Sequence, residues 1–181
     1  ETDDPARFTN PIFAHSHIGE NGDPVSKING FKANLQKGIG EKADIAFFKF
    51  CFWDIRSHTD VEKIFSEYKQ TFSELKTLYP HVKFVHFTVP LVSYPNGMYP
   101  KIRRMLGLRV GFDQDNMRRN ELNWLIRKEY SGREPIIDIA LYESVLPDGQ
   151  RALFVRGGKQ YEYLAAGNTD DGGHLNLEAR L

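Results

Sequence analysis

The chain is 181 residues long and carries 24 Lys and Arg against 24 Asp and Glu. A formal charge of zero argues against a nucleic-acid binder that neutralises phosphates over its whole surface. With 40% hydrophobic and 27% charged residues the composition is globular and too apolar for disorder, and the lone Cys51 excludes an intramolecular disulfide or a cysteine-based zinc cluster.

Residues 1–10 are polar and read as a loosely held arm, and both chain ends read as trimmed. Pro11-Ile12-Phe13-Ala14-His15 is a short apolar run with the look of a buried strand. A turn-rich segment, Ser16 to Pro24, follows it. Asp23 as N-cap with Pro24 at the first helical position opens a helix to about Lys37, with Ile28, Phe31 and Leu35 spaced three and four apart. Asp44 to Trp53 is nearly continuous in apolar residues, the pattern of a central parallel strand buried on both faces. Thr59-Asp60-Val61-Glu62 has the form of a capping box, and Val61, Ile64, Phe65, Tyr68, Phe72, Leu75 and Leu78 mark one face of the next helix.

Val82–Val89 is a second β-rich run that Pro90 stops; 90–112 is irregular, with turn signals at Pro95-Asn96-Gly97 and Pro100. Asp113 or Asp115 caps a helix to Tyr130, with Met117, Leu122, Leu125 and Ile126 inward. Residues 136–140 form a further strand, and Pro147-Asp148-Gly149 and Arg156-Gly157-Gly158 punctuate a hairpin. Asp170 to Asn176 is a glycine-rich loop leading into a helical end. Strands alternating with helices imply a parallel sheet with helices on both faces, as one domain over 1–181. Ligands on such sheets bind beyond the carboxyl ends of the strands. The segments expected there are 15–23, 49–58, 88–100 and 142–148, joined by the loop at 165–174.

Asp171-Gly172-Gly173-His174 carries the clearest chemistry. An Asp three residues before a His can bend back and accept from the imidazole, fixing its tautomer and leaving the other nitrogen as a base. Ser16 follows the first apolar run directly and opens toward a helix N-terminus that favours negative charge. Asn21 offers an amide to an oxyanion hole. Lys49, inside so apolar a run, needs a partner, and either Asp54 or the cleft supplies its surroundings. The neighbours of Cys51 are those of an inert core thiol. His15, His17 and His174 have no carboxylate motif to make them a metal site. Arg103, Arg104, Arg109, Arg118, Arg119 and Arg127 form a basic stretch, read as solvated surface or as recognition of an acidic substrate.

These pieces together resemble the SGNH (GDSL-like) hydrolase family, in a divergent branch that reads H-x-S-V-G with an Asn two residues on, then an apolar strand with Lys-Phe-Cys, then a late D-G-G-H-L-N. Here they are His15 to Asn21, Lys49 to Asp54, and Asp171 to Asn176, with Asn116-x-x-Arg119-Asn120-x-x-Asn123 and Ile137 to Ala140 between. The resemblance implies a three-layer α/β/α sandwich with a central parallel sheet, flavodoxin-like, and a Ser-His-Asp triad. His174 would be the general base, Asp171 its orienting acid and Ser16 the nucleophile. Gly19, Asn21, His17, Lys49 and Asp54 would line the oxyanion and substrate side. No metal and no cofactor are implied. Aligned strictly, the family's serine column falls on His17, with Ser16 one place earlier, and Lys49 to Asp54 stands where the family has Gly-x-Asn-Asp. The family's middle glycine block has no counterpart.

The expected function is therefore a serine esterase acting on a small ester, including carbohydrate O-acetyl groups. The competing reading is an impaired domain that binds a carbohydrate or other ligand in the same cleft. The expected partner is an ester substrate, with no nucleic acid and no membrane span, in an extracytoplasmic setting.

Overall fold

The computed structural model describes residues 3–8, 11–94, 97–108 and 110–180. The turn expected at Pro95-Asn96, Arg109 of the basic stretch and the remaining positions of the N-terminal arm lie outside them.

In chain order the elements are α1 (Pro24–Asn34), β1 (Ile45–Ala46), α2 (Val61–Leu78), β2 (Lys83–Phe84), β3 (His86–Phe87), α3 (Met98–Met105), α4 (Gly111–Tyr130), β4 (Ile136–Ile137), α5 (Ile139–Glu143), β5 (Leu153–Arg156) and β6 (Lys159–Glu162). β1 pairs with β2 in parallel, Ile45 opposite Lys83. β3 pairs with β4 in parallel, His86 opposite Ile136. β5 and β6 form the expected antiparallel hairpin. The chain is thus α/β, with short parallel ladders between helices.

Three helix starts follow local chemistry, but α4 does not begin at the expected cap: it starts at Gly111 with Val110 as an N-cap that makes no side-chain bond, and Asp113 and Asp115 lie buried inside it. The Asp23 carboxylate accepts from Ser26 N at 3.0 Å, ahead of Pro24. α2 starts one residue later than the capping box implies. Asp60 is its N-cap, accepting from Lys63 N at 3.1 Å, while Thr59 Oγ1 accepts from Arg56 N. Asp138 caps α5, which replaces the end of the strand expected over 136–140. Its carboxylate takes the Leu141 N–H at 3.1 Å, turning the backbone into a helix after two ladder residues.

Two strand expectations are corrected. Residues 11–15 are not a strand; they run without regular structure, with Phe13 79% exposed. A five-residue run headed by Pro11 lacks one ladder donor from the outset, and its apolar side chains lie over the surface, the Phe13 ring 6.2 Å from Phe47. The run from Ile45 to Phe50 is buried on one face only. Ala46, Phe48 and Phe50 point inward, while Ile45, Phe47 and Lys49 are exposed. Alternation of this kind marks a half-covered sheet.

The inward face is a phenylalanine core. Phe48 stands 4.9 Å from Phe31 of α1 and 5.0 Å from Phe50, and Tyr68 stands 4.5 Å from Phe72 on α2. Against it lies His86, fully buried, with Nδ1 2.8 Å from Tyr68 Oη, Nε2 3.0 Å from Glu134, and its ring stacked 3.6 Å from Tyr130. Burial lowers the His86 pKa from its ordinary 6.5, against the opposing pull of Glu134.

α4 solves a different problem. Residues 89–92 are fully buried or nearly so and lie outside the ladders. Two asparagines seven residues apart on α4 stand in for a neighbouring strand. Asn123 accepts from Val89 N at 2.6 Å and donates to Val89 O at 3.0 Å; Asn116 accepts from Val92 N at 3.1 Å and donates to Val92 O at 2.8 Å. Asn120 does the same for Glu162 of β6. An amide has one donor and one acceptor edge, so each satisfies both backbone groups of one residue. The buried face of α4 is accordingly polar toward its N-terminus and apolar only at Leu122, Ile126 and Tyr130.

Candidate active site

The five segments expected at the strands' carboxyl ends fall into two hydrogen-bonded sets, which Arg119 of α4 bridges by donating to Phe52 O of one and to Asn116, the partner of Val92 in the other. Gly22 N donates to Asp54 at 2.9 Å, joining 15–23 to 49–58. Leu91 N donates to Glu143 Oε2 at 2.7 Å, joining 88–100 to 142–148. Ala165 N donates to Glu143 O at 2.9 Å, and Ser93 N to Gly172 O at 2.7 Å, which brings in the late loop.

That loop holds the expected pair. His174 Nδ1 lies 2.6 Å from Asp171 Oδ2, while Asp171 Oδ1 accepts from both Gly173 N and His174 N at 2.8 Å. These bonds hold the carboxyl far below its ordinary 3.8, the two backbone N–H groups contributing most. The carboxylate keeps the imidazole proton on Nδ1 and leaves the Nε2 lone pair as the basic atom. Both side chains are open to solvent, His174 at 66%. Gly172 has φ +85°, which favours glycine, and a Cβ on Gly173 would come to 3.0 Å from the Phe52 ring and press on it.

The His174 ring meets Phe52 edge-on at 5.4 Å. Phe52 in turn is fixed by Arg119, which donates from Nε to Phe52 O at 2.8 Å and from a terminal nitrogen to Asn116 at 2.9 Å. Arg119 is 2% exposed, and burial lowers its pKa to about 10. A cavity of about 430 Å³ opens beside the pair, walled by Phe52, Val92, Ser93, Tyr94 and Phe112 with residues 171–174. A larger groove of about 1220 Å³ lies between the start of α2, α4 and the β5–β6 hairpin. Its main charges are consumed internally, Arg127 and Arg151 on Glu162 at 3.1 and 2.6 Å and Arg118 on Glu121 at 2.6 Å. The smaller cavity is the one lined by Asp171 and His174.

The early block sits elsewhere in the network. Ser16 Oγ accepts from Asn34 Nδ2 of α1 at 3.1 Å, and neither Ser16 nor His17 lines the His174 cavity. His17 is exposed. Gly19 has φ +54°, and a Cβ there would lie 2.5 Å from Lys27 N, so the turn closes tightly onto the first turn of α1. Asn21 Oδ1 accepts from Lys27 Nζ at 2.9 Å, which directs this amide oxygen to a lysine. Asp54 is buried and serves as a hub. It accepts from Gly22 N and Cys51 N and pairs with Lys27 Nζ at 3.4 Å. Lys49, for which Asp54 was one expected partner, is exposed instead, and its charge acts on Glu143. Cys51 is a half-buried free thiol.

Three residues that the sequence reading did not single out belong to this region. Ser93 and Tyr94 line the cavity; their segment was expected at the strand ends, but nothing in the local pattern distinguishes them. Glu143 is 5% exposed, and burial raises its pKa from 4.5 to about 7. Glu143 lay in the 142–148 segment expected at the strand ends, but the strand expected over 136–140 hid the short helix that carries it.

No family model and no curated protein matches the chain. Among solved structures it is similar to a Streptococcus pneumonia protein provisionally named as a platelet activating factor, at 14% identity and a TM-score of 0.46. That superposition covers 81% of this chain and 61% of the other, so the chain spans less than two-thirds of that protein's length.

Proposed function

We propose that the chain is an ester hydrolase domain of the SGNH type, with the three-layer α/β/α arrangement of that family, acting on small or carbohydrate-borne acyl esters. The observation that carries this reading is the 2.6 Å Asp171–His174 bond with Nε2 left free beside a cavity. In the reaction a hydroxyl oxygen attacks the ester carbonyl carbon as His174 Nε2 takes its proton. The imidazolium then returns that proton to the departing alcohol oxygen; water, deprotonated by the same nitrogen, attacks the acyl-enzyme carbonyl, and the imidazolium gives the proton back to the nucleophile oxygen as the acid leaves. Asp171 holds the ring and stabilises its charged form. Ser16 is the hydroxyl assigned by the family resemblance; acting on His174 requires it to exchange the Asn34 bond for the imidazole. Ser93 is the serine already in the cavity wall.

Fluorophosphonate labelling with mass-spectrometric site mapping, run beside acetyl-ester turnover, tests the reading. Labelling at Ser16 or Ser93 that disappears in His174→Ala supports it and names the nucleophile. The expected loss of turnover in His174→Ala is about a thousandfold. The second reading, a binding domain, is favoured by one observation: His17 stands in the family's serine column and Ser16 is engaged with α1. It forecasts no labelling, no turnover in the native chain, and turnover gained in His17→Ser.

A further inference from the structure

α3 has the residue spacing of a buried helix and the exposure of a surface one. Met98, Ile102 and Met105 recur at i, i+4 and i+7, the stripe that ordinarily faces a core. Here Met98 is 76% and Met105 80% exposed, and none of the described side chains from 97 to 108 is buried. Tyr99, Leu106 and Leu108 extend the same outward apolar surface. Contiguous exposed apolar patches of this kind mark interaction sites.

Charge narrows the occupant. The sequence has no Asp or Glu between Glu74 and Asp113, while it carries Lys101, Arg103, Arg104 and Arg109 in or next to residues 98–108. Lys101 is exposed, and the Arg103 guanidinium lies over the Tyr99 ring and donates to its hydroxyl at 3.1 Å. Arg156 of the hairpin donates to Leu108 O at 2.7 Å, placing a further cation at the edge. Protruding unbranched and aliphatic side chains with cations of one sign match a bilayer interface, where apolar groups enter the acyl layer and Lys and Arg meet anionic headgroups.

Position gives the surface a purpose. Tyr94 and Phe112 wall the His174 cavity, and 97–108 is the excursion of chain between them. We infer that the 98–108 face seats the domain on an anionic lipid surface, so that the cavity mouth is presented to esters carried by lipids at that surface. The docking half stands by itself; the substrate half rests on the hydrolase reading above.

The test is co-sedimentation of the full chain with vesicles of phosphatidylcholine alone and of phosphatidylcholine mixed with phosphatidylglycerol, at low and high salt. Binding to the mixed vesicles, weakened by salt, is expected. Lys101→Glu should lower it about twentyfold, since it changes the charge by two at a surface that attracts each cation severalfold. The double variant Met98→Ser, Met105→Ser should lower it about tenfold or more, with an unchanged melting temperature and unchanged turnover of a water-soluble acetyl ester. No binding to mixed vesicles, or binding that all these substitutions leave intact, overturns the docking face. So does concentration-dependent dimerisation that Met98→Ser, Met105→Ser abolishes, with no vesicle binding; the face would then belong to a second copy. Vesicle binding in a chain that hydrolyses no soluble ester keeps the docking face and removes the hydrolase.

Discussion

Two histidines in this molecule are each held by a carboxylate, and they do opposite things. His86 is fully buried, has both ring nitrogens engaged, by Tyr68 and Glu134, and stacks on Tyr130. His174 has one nitrogen engaged, by Asp171, and stands open beside a cavity. A carboxylate partner therefore does not by itself distinguish a buried structural imidazole from one left accessible beside a cavity. What distinguishes them is whether the second nitrogen is occupied and whether a reacting group can reach it. The difference also separates where the free energy goes. Around His86 the hydrogen bonds stabilise the fold, whereas around His174 they orient a solvent-exposed ring.

Substitutions can sharpen that contrast. His86→Ala removes two buried hydrogen-bond partners and a stacked ring, and is expected to destabilise the fold by about 3–4 kcal/mol, read by urea denaturation. The pH profile around it also has a sign. The His86 pKa is lowered in the fold, so its contribution is present above the ordinary 6.5 and is lost as pH falls through the lowered value.

Glu143 runs the other way. Its pKa is raised from 4.5 to about 7, so its contribution is full below 4.5 and is lost as pH rises through about 7. Glu143→Gln keeps an acceptor for Leu91 N and removes the titration. Between pH 5 and 8 the native chain should lose about 2–3 kcal/mol more stability than this variant, measured as paired denaturation curves. Equal slopes would mean that the carboxyl is hydrated in solution.

Asn123→Ala leaves the Val89 N–H and C=O without partners in the interior, and about 2 kcal/mol of destabilisation is expected. At the small end stands His174→Ala, with a change within about 0.5 kcal/mol. If it destabilised the protein as much as His86→Ala does, the two sites would not differ in kind.

Much of the site was legible because its determinants are local. Asp171 and His174 are three residues apart, with glycines between them that let the loop fold on itself, so spacing offered the pair and the resemblance carried by Asp171 to Asn176 weighed it against a surface histidine in a turn. The same holds for Asp23 and Pro24 at the start of α1, and for the amphipathic face of α2. The asparagine pattern on α4 was visible as a motif, but its meaning was not. Asn116 and Asn123 bond to residues 24 and 34 positions away, and nothing in a helical stretch names a distant backbone as the partner. Lys49 and Asp54 show the same limit: proximity in sequence paired them as one alternative, while the fold brought Lys27 to Asp54 and left Lys49 exposed.

The sequence by itself determined the start of α1 at Asp23 and Pro24, the start of α2 to within one residue and the α/β alternation, and it offered the Asp171–His174 pair, because each depends on contacts within a few residues along the chain. Only the tertiary structure decided that residues 11–15 are not a strand, that β1 is covered on one face, that Ser16 bonds to α1 and that Ser93 lines the cavity. Apolar content records a tendency to be buried but not against what. The direction in which a segment packs is set by partners that are remote in sequence and meet only when the chain folds.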